Sequence, residues 1–234
     1  MCTTIRPDIC TAVSKLAQTL QHPEPEHAKH LYYLLRYLHT TAEQTLEIAP
    51  TLDTGLLVYS DSNFADPSDK RRRSTSGTYI TLHGRPIAWK SKLQTCTADS
   101  THEAELYALH QSLKMGLGLR HTLAEMGLIK LYKTVTIFVD NEATTYTAKL
   151  RDQISSRNRH IDTRYFKICD HVETKEFTVT WLSGKYNPAD IFTKPITPNS
   201  FKPHFDFIFE ALPYSHELEG GTHACKGPGT CLGG

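Results

Sequence analysis

Three aspartates stand where chemistry could gather. Asp61 closes the strand-like run LLVYSD (56–61), Asp140 closes TVTIFVD (134–140), and Asp190 opens a short helix after FTVTWLS (177–183). In α/β sheets, ligand sites collect beyond strand ends and at helix starts. Carboxylates brought together there repel one another, and a pair of divalent cations relieves the repulsion. Each aspartate taken singly has a plainer reading. Asp61 between Ser60 and Ser62 suits a turn, Asp140-Asn141 suits a helix cap, and Asp190 after Pro188 suits a first helical turn.

The elements that must carry these acids follow from pattern. TYITLH (78–83) and PIAWKS (86–91) are two further β-type runs joined at Gly84-Arg85. A long helix is predicted from Ser100, which forms a capping-box spacing with Glu103, to a stop at Gly127. Its buried stripe is Leu106, Leu109, Leu113 and Leu117. Two acids at its start, Glu103 and Glu105, fall on opposite sides of that stripe, each roughly 80° from its centre, so periodicity does not choose between them. Helices are expected over 142–150, 157–174 and 188–194. The order strands, helix, strand, helices, strand, helix predicts a mixed α/β sheet. Upstream, 8–20 and 26–40 read as amphipathic helices separated by HPEP, with Leu31, Leu34, Leu35 and Leu38 as a stripe for a core or an interface.

Composition bounds the function classes. The chain has 234 residues, with Lys+Arg 26 against Asp+Glu 25 and a formal charge of +1, so any nucleic-acid binding must come from local clusters. The absence of a long apolar run argues against a membrane span, and the start MCTTIRPDIC lacks a signal-peptide core, so an intracellular protein, cytoplasmic or nuclear, is expected. The six cysteines read as free thiols. His223, Cys225 and Cys231 lack the spacing and the fourth ligand of a zinc site. Three parts are expected: a helical segment (1–50), one α/β domain (51–210) and a glycine-rich disordered tail (211–234).

The motifs YSDSNFAD, KRRRSTSGTYITL, IAWKSKLQ, STHEAELYAL, VDNEA, RHIDTRY and NPADIFTKPI, in that order, resemble the ribonuclease H region of copia-type retrotransposon polyproteins. The stretch TIRPDICTAVSKLAQ with LRYLHTT resembles the segment between polymerase and ribonuclease H in the same polyproteins. The resemblance implies a ribonuclease H-like mixed sheet flanked by helices, and a polymerase part of the same polyprotein as partner. It implies Asp61, Glu105, Asp140 and Asp190 as catalytic metal ligands, and it is the AEL of AELYAL that selects Glu105, leaving Glu103 to the cap.

The implied reaction is hydrolysis of RNA in RNA–DNA hybrids by two metals about 4 Å apart, leaving 5′ phosphates and 3′ hydroxyls. An all-oxygen carboxylate site suits two Mg²⁺ ions, or Mn²⁺, better than zinc. Such an enzyme grips its substrate by groove shape, phosphates and 2′-hydroxyls. Lys70, Arg71, Arg72 and Arg73 with Ser74, Thr75 and Ser76 form a basic, hydroxyl-rich turn suited to phosphate, and Lys90 and Lys92 extend it. Trp89 and Trp181 read as core aromatics. Many ribonucleases H carry a histidine on the loop before the last acid, but GKYNPAD has none, and His160 of RHIDTRY is the accessory candidate. Two alternatives stand beside this reading. Integrase-type chemistry would call on Glu173, and an inactive or domesticated fragment would bind nucleic acid or a protein. No YxDD-type pair of aspartates supports DNA synthesis by this chain.

Overall fold

Side chains alternate along the central strands, and both sets are apolar. On β1 (Leu56–Asn63), Leu56 and Val58 join one core while Leu57 and Tyr59 join another. A strand apolar on both faces must be covered on both. The computed structural model describes residue 2 and residues 4–49, 54–130, 133–149 and 159–210. The tail 211–234, with His223, Cys225 and Cys231, lies outside the described residues.

Five strands form one mixed sheet: β1, β2 (Thr75–Leu82), β3 (Arg85–Leu93), β4 (Val135–Val139) and β5 (Phe177–Trp181), in the order β3-β2-β1-β4-β5. The first three pair antiparallel through short connections, whereas β4 and β5 join by parallel pairing after helical crossovers. This is the mixed sheet flanked by helices that was expected. On one face lie α3 (Thr101–Glu125) and α5 (Arg159–Glu173), whose Leu106, Leu109, Leu113 and Ile168 meet Val58, Ile137 and Val179. The other face is covered by α1 (Cys10–Gln18), a 3₁₀ turn at Pro188–Phe192 and α6 (Pro198–Glu210), around Tyr59, Tyr79, Phe192 and Ile208. The short α4 (Glu142–Thr147) follows β4.

Three expectations change. β2 begins at Thr75 rather than 78, so Ser74-Thr75-Ser76 is not a loop tip but the buried entry to a strand. Helix α2 (Pro25–Thr40) has no buried residue, and Leu31 and Leu35 are about half exposed, so its leucine stripe forms no part of the described core. Trp89 is a core aromatic as expected, but Trp181 is 46% exposed. Among the described residues, no helix is long and apolar enough to cross a membrane.

Candidate metal centre

The sheet delivers its acids to one end. Asp61 lies near the end of β1, and Asp140 follows the last residue of the parallel neighbour β4. Glu105 sits in the second turn of α3, which packs across β1. One carboxylate oxygen from each of Asp61, Glu105 and Asp140 lies within 4.8 Å of the others. Asp61 and Glu105 are buried, and Asp140 is half-buried.

Glu103, the competing acid, is spent on the helix start. Its backbone N–H donates to Ser100 Oγ at 3.1 Å, and its Oε2 accepts the Asp99 N–H at 2.7 Å. Glu105 instead accepts the Ser62 hydroxyl at 2.9 Å through Oε1, while its buried Oε2 has no hydrogen-bond partner. A buried carboxylate oxygen left unpaired is destabilising, and a cation in the cluster would satisfy it.

The fourth acid arrives from the 3₁₀ turn. Asn187, fully buried, donates from Nδ2 to the Ser60 carbonyl at 2.9 Å and accepts the Ala189 N–H at 3.1 Å. That clamp ties the start of the turn to β1. At the other end, Thr193 Oγ1 donates to Asp61 Oδ2 at 2.5 Å, and Lys194 Nζ sits 2.6 Å from Asp190 Oδ1. The turn seats closely because Gly77 faces Asp61 across the β1–β2 ladder. A Cβ there would stand 2.6 Å from both the Ala189 carbonyl oxygen and Thr193 Cγ2. Asp190 is not one of the three acids whose oxygens lie within 4.8 Å of one another, but Asp61 and Asp140 both feel its charge.

Electrostatics show the strain of this gathering. Burial, then Asp140 and Asp190, push the Asp61 carboxyl up to about 7, although Thr193 and Lys194 oppose the shift. Burial with Asp61 and Asp140 holds Glu105 well above the usual carboxylate range. Burial and then Asp190 raise Asp140 as well. Oxygen-only donors, one of them unpaired, in a site that resists its own negative charge fit a hard divalent cation.

The remaining expected groups divide. Ser74, Thr75 and Ser76 are buried and turned inward: Ser74 Oγ accepts the Ala65 N–H, Thr75 donates to Asp66, and Ser76 Oγ accepts from Gln94. They are closed to a substrate phosphate. Arg73 is held by Asp69 at 2.9 Å, which leaves Lys70, Arg71 and Arg72 exposed on the turn, with Lys90 and Lys92 exposed on β3. His160 falls in α5, and its side chain lies outside the described part of the chain. Glu173 is exposed near the end of α5 and is not a member of the acid cluster. Sequence reasoning missed Thr193, Lys194, Asn187 and Trp181. The Trp181 indole N–H donates to the Asp140 carbonyl at 3.0 Å, and a side chain at Gly184 would come within 3.0 Å of Asp140 Oδ2.

Comparison with known proteins defines the class. No family model matches the chain. The retrovirus-related Pol polyprotein from transposon TNT 1-94 of Nicotiana tabacum is 35% identical over 197 residues, which is 84% of this chain and 14% of that protein. The Pol polyprotein from transposon RE1 of Arabidopsis thaliana is 32% identical over 84% of this chain and 13% of its own length. A Gag-Pol polyprotein of transposon Ty1-NL2 from Saccharomyces cerevisiae is 26% identical over 83% of this chain and 11% of that protein. The chain is thus a homologue of one segment of transposon Pol polyproteins. Its particular kin are the copia-type elements, as its motifs imply, and it spans about a seventh of the curated relatives it matches. Among solved structures, LC11-RNase H1 aligns with a TM-score of 0.45 at 17% identity, over 59% of this chain and 92% of that one. The foamy viral protease-reverse transcriptase in complex with RNA/DNA hybrid aligns with a TM-score of 0.42 at 16% identity, over 75% of this chain and 21% of that one.

Proposed function

We propose that this chain hydrolyses the RNA strand of RNA–DNA hybrids as the ribonuclease H part of a transposon Pol polyprotein. The observation that carries the reading is the convergence of Asp61, Glu105 and Asp140, with the unpaired Glu105 Oε2 among them. Homology to the Pol polyproteins supports it, as do the oxygen-only donors.

Asp61, Glu105, Asp140 and Asp190 would hold two divalent cations, Mg²⁺ or Mn²⁺. When bound, these supply a water of lowered pKa and neutralise charge on the scissile phosphate. The chain's own groups set the geometry. Thr193 fixes one oxygen of Asp61 by donating to it, and Ser62 does the same for Glu105. Trp181 and the close backbone at Gly184 confine Asp140. In this reading Lys70, Arg71 and Arg72, with Lys90 and Lys92, would meet phosphates of the duplex without reading its sequence, and their exposure supports that role.

The test is cleavage of an end-labelled hybrid in Mg²⁺. Wild type should cut the RNA strand, and Asp140→Asn should lose at least about a hundredfold in rate, as removal of a metal-holding carboxylate does. Wild type cutting no faster than Asp140→Asn sinks the proposal. Glu105→Gln should abolish cleavage, whereas Glu103→Gln should mainly lower thermal stability through the weakened helix start, by about 1 kcal/mol. The reverse pattern would move the ligand to Glu103.

A further inference from the structure

Lys194 is a cation already seated among the acids. It follows Asp190 by four residues, and its ammonium pairs with Asp190 Oδ1 at 2.6 Å. Asp61 and Asp140 act on it as well, so its charge is shared by three of the four carboxylates rather than by one. The neighbouring Thr193 hydroxyl on Asp61 pins the same turn against β1. The backbone of the lysine is therefore fixed by the turn, while its side chain remains 42% exposed and has a path to solvent.

An ordinary i,i+4 ion pair on a surface contributes little to stability. This one differs in setting. Its acids repel one another in a partly dry site, where a positive charge has more to offset. The lysine also contacts an oxygen that a bound cation would need. A divalent cation and the ammonium would then compete for Asp190 and repel each other at short range.

We propose that Lys194 is the resident counter-ion of the acid cluster, displaced from Asp190 when divalent cations load. In the metal-free protein it offsets part of the charge of the gathered carboxylates. After loading its ammonium turns outward to solvent, which its 42% exposed side chain already meets. Lys194 is thus a positioning residue that sets how tightly metal is held. The assignment rests on the metal site proposed above, but not on which substrate is cut.

Metal binding tests it without any hybrid. In calorimetric titration with Mn²⁺ at neutral pH and low salt, Lys194→Met should bind Mn²⁺ about tenfold more tightly than wild type, a modest share of a short-range repulsion. Lys194→Arg, which keeps the charge, should stay near wild type. Without metal, Lys194→Met should melt at a lower temperature than wild type, and saturating Mn²⁺ should close the gap. Equal or weaker Mn²⁺ binding by Lys194→Met overturns the assignment. If that variant does not fold, wild type still decides the matter. Acetylation of Lys194, followed by mass spectrometry, should speed up in saturating Mg²⁺ as the amine is released, and an unchanged rate refutes displacement. If wild type cuts no hybrid yet Lys194→Met holds Mn²⁺ more tightly, hydrolysis falls and the counter-ion role stands.

Discussion

Burial and the neighbouring Asp140 and Asp190 lift the Asp61 carboxyl from the usual 3.8 to about 7 when no cation is bound. Below the lower value the folded and unfolded chains both hold this proton. Between the two values the folded chain holds it more tightly, so stability must fall as pH rises through that window. Glu105, also raised, acts in the same direction. Melting temperatures in a chelator should therefore drop between about pH 4.5 and 7.5. Asp61→Asn should flatten that drop, and Mg²⁺ should largely restore wild type at the upper end. Equal slopes for wild type and Asp61→Asn would refute the assignment of this strain to Asp61. Asp61 and Asp140 could be placed from sequence because each lies at or near the end of a β-type run, although β1 continues two residues beyond Asp61 to Asn63. Glu105 could not be read from periodicity, since Glu103 lies equally far from the leucine stripe. What separates them is the Asp99 N–H, which occupies Glu103 through a loop geometry no pattern encodes. Thr193 and Lys194 stayed hidden for a related reason: the Asp61 oxygen that Thr193 holds is 132 residues away in sequence.

The element that brings Asp190 to the others is a 3₁₀ turn rather than a regular helix, held by Asn187 at one end and Thr193 at the other. Its approach to the sheet depends on a missing side chain. A methyl group at Gly77 would meet the Ala189 carbonyl oxygen and Thr193 Cγ2 at 2.6 Å, and neither can yield without moving the turn. Gly77→Ala should thus destabilise the fold by about 1–3 kcal/mol, the usual range for overpacking. It should also slow cleavage more than an equally destabilising change remote from the turn, such as Gly116→Ala on the sheet-facing side of α3, where the nearest atoms belong to the side chains of Val58 and Phe177. Equal cleavage by the two variants at a temperature where both are folded would separate the turn from catalysis. The five strands were legible from short runs of β-type residues and the long helix from its leucine spacing and its cap. The start of β2 was not, because Ser74-Thr75-Ser76 carries turn-like residues whose hydroxyls are in fact satisfied inside. Helix α6 escaped notice for an opposite reason: Pro198 and Pro203 punctuate a run whose Ile208 and Phe209 are nevertheless buried.

At the scale of the molecule, the texture change near residue 50 reads as a boundary between a helical segment and an α/β domain, yet hydrogen bonds cross it. Thr11 donates to the Ile191 carbonyl at 2.5 Å, directly after Asp190, and Cys10 packs in the same core as Ile191 and Phe192. The Trp89 indole donates to the Cys2 carbonyl at 2.6 Å, Lys15 pairs with buried Asp66, and Arg85 reaches Ala49 and Glu47. None of these partners is near in sequence, which is why composition alone suggests two separable pieces. Residues 4–18 thereby buttress the turn that carries the fourth acid, while α2 contributes no buried side chain. The two halves of the segment should consequently respond differently to change. Thr11→Val, which leaves the Ile191 carbonyl without its buried donor, should lower stability by about 1–3 kcal/mol and weaken Mn²⁺ binding through the loosened turn. Leu31→Gln with Leu35→Gln on the exposed face of α2 should leave both within about 0.5 kcal/mol of wild type, as exposed substitutions do. Removal of residues 1–50 should act like a severe form of Thr11→Val, with a lower melting temperature and slower hybrid cleavage together. A shortened chain that melts, binds Mn²⁺ and cuts as the full one does would show that the acid cluster is held by the sheet and the 3₁₀ turn alone.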